Sequence, residues 1–180
     1  REVLEGGVLV ASNHQSFLDP VLVGMALPGT TRYAARSGLF KAPGFGQLIR
    51  LVGASPLKRG QLDRSGWRRF IAILNDGEPL LMFPEGTRSR NGELGRFRKG
   101  AASLAIRCGV PVLPVCVEGA FYSWPRHRLL PQPARAAVAY GTPVSSQGRD
   151  GEELMEQVKH EISELQGFLR AYLGAQSQSE

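Results

Sequence analysis

Short apolar runs alternate along this chain with longer stretches in which apolar residues recur every three or four positions. Val8-Leu-Val-Ala11 and Leu80-Leu-Met-Phe83 are apolar throughout. They are too short for helices and read as strands buried on both faces. Thr31–Ala34, Ala54–Leu57, Val112–Val117 and Ala134–Tyr140 read as further strands. Pro111 and Pro114 place Val112–Val117 near an edge or a bulge, because proline cannot donate to a ladder. Trp67, Phe70, Ile71 and Leu74 fall on one helical face, closed by Asn75-Asp76-Gly77. Pro20–Leu27 predicts a short helix stopped by Pro28-Gly29, and Lys99–Cys108 another ended by Gly109. From Asp150, the residues Leu154, Val158, Ile162, Leu165, Leu169 and Tyr172 mark the buried face of a last helix. Leu39–Leu51, interrupted by Pro43, Gly44 and Gly46, reads neither way. The alternation predicts an α/β fold, a mostly parallel central sheet flanked by helices. Ligands in such sheets sit beyond the carboxyl ends of the strands. The loops after Ala11, Leu57, Phe83 and Val117 are therefore the places to look.

A length of 180 residues suits one domain spanning 1–180, with a polar tail, Gln176–Glu180, expected to fray. The chain opens on Arg1 with a strand expected by Gly7, which suggests a trimmed start and leaves room for an anchor upstream. With 42% hydrophobic and 21% charged residues the composition is globular rather than disordered. Pro20–Gly29, the longest stretch without a polar side chain, falls well short of the roughly 20 residues of a membrane span. Cys108 and Cys116 exclude a disulfide framework and read as small core residues. The net charge of +6 favours polyanions: nucleic acid, acidic lipid or a phosphorylated substrate. No nucleic-acid motif accompanies it. His14, His127 and His160 are dispersed and show no zinc spacing, so no metal is expected.

Two loops carry candidate chemistry. After the first strand comes Ser12-Asn-His-Gln-Ser-Phe-Leu-Asp-Pro20. If the chain turns here from strand into helix, the Asp19 carboxylate can fold back onto His14. It would then fix the imidazole tautomer and leave Nε2 to accept a proton. The plainer reading makes Ser16 or Asp19 the helix cap, with Pro20 at the first helical position. After the Leu80 strand comes Pro84-Glu-Gly-Thr-Arg-Ser-Arg90. Gly86 allows close approach of a ligand, Arg88 offers a planar fork for phosphate oxygens, and Glu85 can accept from a hydroxyl or hold Arg88. Arg96, Arg98 and Lys99 add positive potential, and the plainer reading is an exposed turn with a weak ion pair. No Gly-x-Ser-x-Gly elbow, Walker loop or complete dinucleotide loop is present.

These segments together resemble the glycerolipid acyltransferase family, specifically its 1-acyl-glycerol-3-phosphate acyltransferases. Asn13-His14-x4-Asp19 matches a first block and Phe83-Pro-Glu-Gly-Thr-Arg-Ser89 a third. Gly53-Ala-Ser-Pro-Leu-Lys-Arg59 matches the second loosely, with Ser55 and Leu57 at positions usually aromatic or isoleucine, and Val110-Pro-Val-Leu-Pro-Val115 matches the fourth. Arg36 stands where many members carry lysine. The resemblance implies a glycerol-3-phosphate acyltransferase-like fold with His14 as general base and Asp19 orienting it. Arg36, Arg59, Glu85, Gly86 and Arg88 would bind the acceptor's glycerol phosphate. A fatty acyl group would move from acyl-CoA or acyl-carrier protein to the free hydroxyl of 1-acyl-glycerol-3-phosphate, giving phosphatidic acid. No cofactor would be held, and the enzyme would work at the cytoplasmic face of a membrane. Three other readings stand beside it: a different lysophospholipid or lyso-ornithine lipid as acceptor, a hydrolase using Ser12 or Ser16, and a non-catalytic lipid-binding module.

Overall fold

A computed structural model of the chain describes residues 6–27, 32–36, 54–57 and 64–177. Among these, six strands form one sheet: β1 (Val8–Ser12), β2 (Arg32–Arg36), β3 (Ala54–Leu57), β4 (Pro79–Met82), β5 (Val112–Glu118) and β6 (Ala137–Tyr140). Their order is β3-β2-β4-β1-β5-β6. All neighbours pair in parallel except β5 and β6. Five helices accompany them: α1 (Asp19–Ala26), α2 (Arg64–Asn75), α3 (Gly100–Cys108), α4 (Ala120–Ser123) and α5 (Gly151–Ser177).

β1 is central, and each of its five residues is buried. Its side chains alternate between two apolar layers, as strand geometry requires. Val8 and Val10 pack with Val23 of α1, with Leu27 just beyond it, and with Leu113, Val115 and Val117 of β5. Leu9 and Ala11 face the larger layer, with Phe70 and Leu74 of α2, Leu104 of α3, and Leu154, Val158 and Ile162 of α5. Leu9 stands opposite both Leu80 and Val112. β1, β4 and β5 therefore deliver their following loops to one edge of the sheet, and that edge carries the site.

One expectation holds and two need correction. β5, buried along its full length, lies next to β6, the edge strand among the described residues, and the register shifts by one residue between Val115↔Tyr140 and Val112↔Val144, the bulge expected beside Pro114. Pro114 is tolerated there because it faces β6 where the antiparallel ladder ends. Val115↔Tyr140 is the last pair, and beyond it the Pro114 carbonyl accepts from Gly141 N at 2.8 Å. Tyr172, expected on the buried face of the last helix, is 50% exposed. The last turns of α5 instead turn Arg170 and Leu173 toward Glu118 and Phe121. Gln176 and Ser177, expected in the tail, belong to α5, and 178–180 lie outside the described residues. The ambiguous Leu39–Leu51 segment and Arg59 lie outside the described residues.

Both cysteines are free. Cys116 is fully buried in β5, and burial pushes its thiol up to about 12. Cys108 packs against the larger layer from the end of α3.

Candidate active site

The first loop is anchored before it reaches the histidine. Asn13 extends the β1–β5 pairing with its side chain: Nδ2 donates to Val117 O at 2.8 Å, and Val117 N donates to Oδ1 at 2.8 Å. The chain then reverses so that Asp19, the first residue of α1, points back at the loop. A single oxygen, Oδ2, accepts from His14 Nδ1 at 2.7 Å, Gln15 N at 2.6 Å and Ser16 N at 2.7 Å. The carboxylate is fully buried while the imidazole is 19% exposed. Capping does not explain this arrangement. Leu18 is the N-cap residue, and no side chain caps the helix. Asp19 instead organises the histidine loop, from a helix N-terminus that favours negative charge.

The loop after β4 closes on His14 from the other side. Gly86 N donates to Phe83 O at 2.9 Å, making a tight turn with Pro84 at its second position. Gly86 has φ +69°, where a side chain would be strained. The turn presents Phe83 to stack on the imidazole, with ring centroids 4.0 Å apart and planes within 18°. Glu85 Oε1 accepts from His14 N at 3.2 Å, and His14 O accepts from Ser89 N at 2.6 Å. His14 is thus held at its ring, its amide and its carbonyl. The two sequence blocks, 71 residues apart, form one structure.

Glu85 is 7% exposed and turned inward. Burial pushes its carboxyl up to about 7, against the opposing pull of amide donors from His14 and Gly95, and the nearby Asp19 carboxylate adds to the rise. A Cβ on Gly95 would stand 2.9 Å from Glu85 Oε2, so glycine is what lets that segment approach. The Arg88 guanidinium lies 3.3 Å above the Phe17 ring, within the His14–Asp19 loop. An open cavity of about 620 Å³ is lined by Glu85, Thr87, Arg96, Arg98 and Lys99. The Arg98 guanidinium crosses Gly86, 3.3 Å from where a Cβ would be. Arg36 ends β2 at the same sheet edge as these loops; Arg59 has no described position. Among the described residues no group of three His, Cys, Asp or Glu side chains is placed to hold a metal ion.

Ser12 and Ser16 are both fully buried, and their hydroxyls donate to Asn13 O at 3.1 Å and Trp124 O at 3.1 Å. Neither is presented as a nucleophile, which removes the hydrolase reading.

The pattern reading missed the polar brace behind the loop. Glu118, at the end of β5, accepts from Gln15 Nε2 at 3.1 Å and Gln166 Nε2 at 2.7 Å. Both amides also donate to Gly92 O, at 2.8 and 3.3 Å. One buried cluster thus joins the histidine loop, the loop after β4, β5 and α5. Its signal in the sequence was Gln166 itself, a polar residue between Ile162 and Leu169 on an apolar helical face.

Comparison with known proteins agrees with this geometry. The family model described as Acyltransferase matches residues 1–118, which include both loops. The chain is 38% identical over 112 residues to the chloroplastic 1-acyl-sn-glycerol-3-phosphate acyltransferase BAT2 of Brassica napus, covering 60% of this chain and 32% of that protein. It is 30% identical over 158 residues to the 1-acyl-sn-glycerol-3-phosphate acyltransferase of Cocos nucifera, covering 83% and 48%. The crystal structure of the 1-acyl-sn-glycerophosphate acyltransferase PlsC of Thermotoga maritima superposes with a TM-score of 0.72 at 31% identity, covering 88% of this chain and 66% of that one. The chain spans about a third to a half of the length of these two plant relatives. With a family model matched over well more than half its residues, and both loops inside the match, this chain belongs to the acyltransferase family.

Proposed function

We propose that the chain transfers a fatty acyl group from a thioester donor, acyl-CoA or acyl-carrier protein, to the free hydroxyl of 1-acyl-glycerol-3-phosphate. The observation that carries this reading is the His14–Asp19 pair held against the Glu85–Arg88 turn at the parallel-sheet edge. With Nδ1–H engaged by Asp19, Nε2 is the basic nitrogen. It takes the proton of the acceptor hydroxyl as the oxygen attacks the thioester carbonyl carbon. The tetrahedral adduct collapses with cleavage of the C–S bond, and the imidazolium returns its proton to the departing thiolate. Asp19 stabilises the imidazolium between these steps and holds the ring in place. Base assistance of this kind is worth roughly 10²–10⁴-fold. No acyl-enzyme forms, in keeping with the buried, occupied serines.

Arg88 and the Arg96–Lys99 edge of the open cavity supply the positive field for the acceptor phosphate, with Arg36 and Arg59 as further contributors. Glu85 acts through the backbone as a positioning residue. The lipid acceptor places the reaction at a membrane surface. The test is a purified assay offering lysophosphatidate against lysophosphatidylcholine and lyso-ornithine lipid, each with acyl-CoA and acyl-carrier protein. Preferential acylation of lysophosphatidate supports the reading; equal use of all three acceptors contradicts the acceptor assignment.

A further inference from the structure

Between Glu118 and Asp150 the chain carries no carboxylate and four arginines, Arg126, Arg128, Arg135 and Arg149. Within this stretch, α4 leads into a loop whose base is stitched shut. Gln132 N donates to Ser123 O at 3.0 Å, and Ser123 Oγ donates to Gln132 O at 2.9 Å. Gln132 Nε2 also donates to Tyr122 O at 2.7 Å. The tip carries Leu129 and Leu130, which are 92% and 76% exposed. Arg126, His127 and Arg128 beside them are exposed as well. Prolines at 125, 131 and 133 restrict the chain on both sides of the tip, so presenting the leucines costs little further entropy.

The loop is fixed to the site. Trp124 O accepts from Phe17 N at 3.2 Å and from Ser16 Oγ at 3.1 Å. The Phe17 and Trp124 rings lie 5.0 Å apart. The exposed leucines therefore hang from the segment that orders His14 and Asp19. Two adjacent apolar side chains in water, flanked by cations in a stretch of chain without a carboxylate, match the chemistry of an anionic bilayer surface. The leucines enter the acyl boundary and the arginines meet lipid phosphates.

We propose that the loop 124–131 seats the histidine-bearing edge of the sheet on an anionic membrane surface through Leu129, Leu130, Arg126 and Arg128. This deepens the acyl-transfer reading by naming the segment that meets the acceptor's bilayer, and its test does not use that activity. Co-sedimentation of the full chain is measured with phosphatidylcholine vesicles and with vesicles containing roughly 30% phosphatidylglycerol, enough anionic lipid to expose a charge dependence. Leu129→Ser/Leu130→Ser lowers binding to the anionic vesicles roughly 10-fold or more. Arg126→Gln/Arg128→Gln lowers it roughly 10-fold at low salt and has little effect on the neutral vesicles. Unchanged melting temperatures show that both variants fold.

Equal vesicle binding by wild type and the leucine variant overturns the proposal, as does no binding by the wild-type chain. A wild-type dimer that the leucine variant dissociates would make a second copy the occupant, and also overturns it. Acylation of a short-chain, water-soluble lysophosphatidate by the leucine variant separates the two readings. Retained transfer with lost vesicle binding supports both. Lost vesicle binding in a chain with no acyl transfer at all supports the loop and refutes the enzyme.

Discussion

Replacing Glu85 by glutamine tests whether the loop after β4 stores an electrostatic penalty beside the histidine. The carboxyl is buried against the backbone of His14 and Gly95, and its value rises from an ordinary 4.5 to about 7. At about 1.4 kcal/mol per pH unit this corresponds to about 3 kcal/mol in favour of the protonated form. Solvent reaching the side chain through the open cavity screens part of it, leaving roughly 2 kcal/mol. The sign follows from proton counting. Between pH 4.5 and 7 the folded chain holds a proton on Glu85 that the unfolded chain has released. Stability therefore falls as pH rises through this window and levels off above it. The glutamine side chain keeps one acceptor oxygen, for His14 N, and does not titrate; the contact with Gly95 N is lost at every pH and so leaves the pH dependence unchanged. Thermal melts at pH 5 and pH 8 should show the melting temperature of E85Q rising relative to wild type by roughly 4–8 °C from the lower to the higher pH, the range for about 2 kcal/mol in a chain of this size. A relative melting temperature that stays constant from pH 5 to 8, or that falls with rising pH, refutes the reasoning.

Further outcomes follow from the same contacts. Asp19→Asn keeps an acceptor for the loop amides but removes the anion facing the imidazole, so turnover should fall roughly 10²–10⁴-fold with little change in the acceptor KM, measured by steady-state kinetics. Arg88→Ala should raise the acceptor KM more than it lowers kcat, and Arg88→Lys should recover only part of the loss because the flat stack on Phe17 is gone. Gln166→Leu should cost only about 1 kcal/mol in urea denaturation, since Gln15 Nε2 still donates to Glu118 and Gly92 O; the Gln15→Leu/Gln166→Leu pair should cost more than the two single changes summed. Gly95→Ala pushes a methyl against Glu85 Oε2 and should lower turnover through a loosened His14 amide, with KM nearly unchanged.

Much of the site was legible before any coordinates because its chemistry sits in two short, local blocks. His14 and Asp19 are close in sequence, and a strand-to-helix turn suffices to bring them together. The apolar runs of β1 and β4 are unambiguous because a strand buried on both faces is apolar along most of its length, with polar residues such as Ser12 only at its end. What the sequence hid was long-range. Nothing local tells that Glu85 reaches the backbone of His14, or that Asn13 completes a ladder with Val117. Glu118 and Gln166 look like isolated polar residues in apolar elements until the helix is laid across the end of β5. Pro114 was a true signal, since it sits where the pairing of β5 with the chain around β6 shifts by one residue. Tyr172 misled because helical periodicity alone does not say which residues of the last turns find a partner to pack on; Tyr172 stays half exposed.

The central claim is that His14 takes the proton from the acceptor hydroxyl. Acyl transfer from acyl-CoA to lysophosphatidate by His14→Ala, with its fold verified by an unchanged melting profile, tests it most directly. The account predicts a loss of at least roughly 10²-fold in turnover with acceptor binding retained. Turnover within a few-fold of wild type would contradict it.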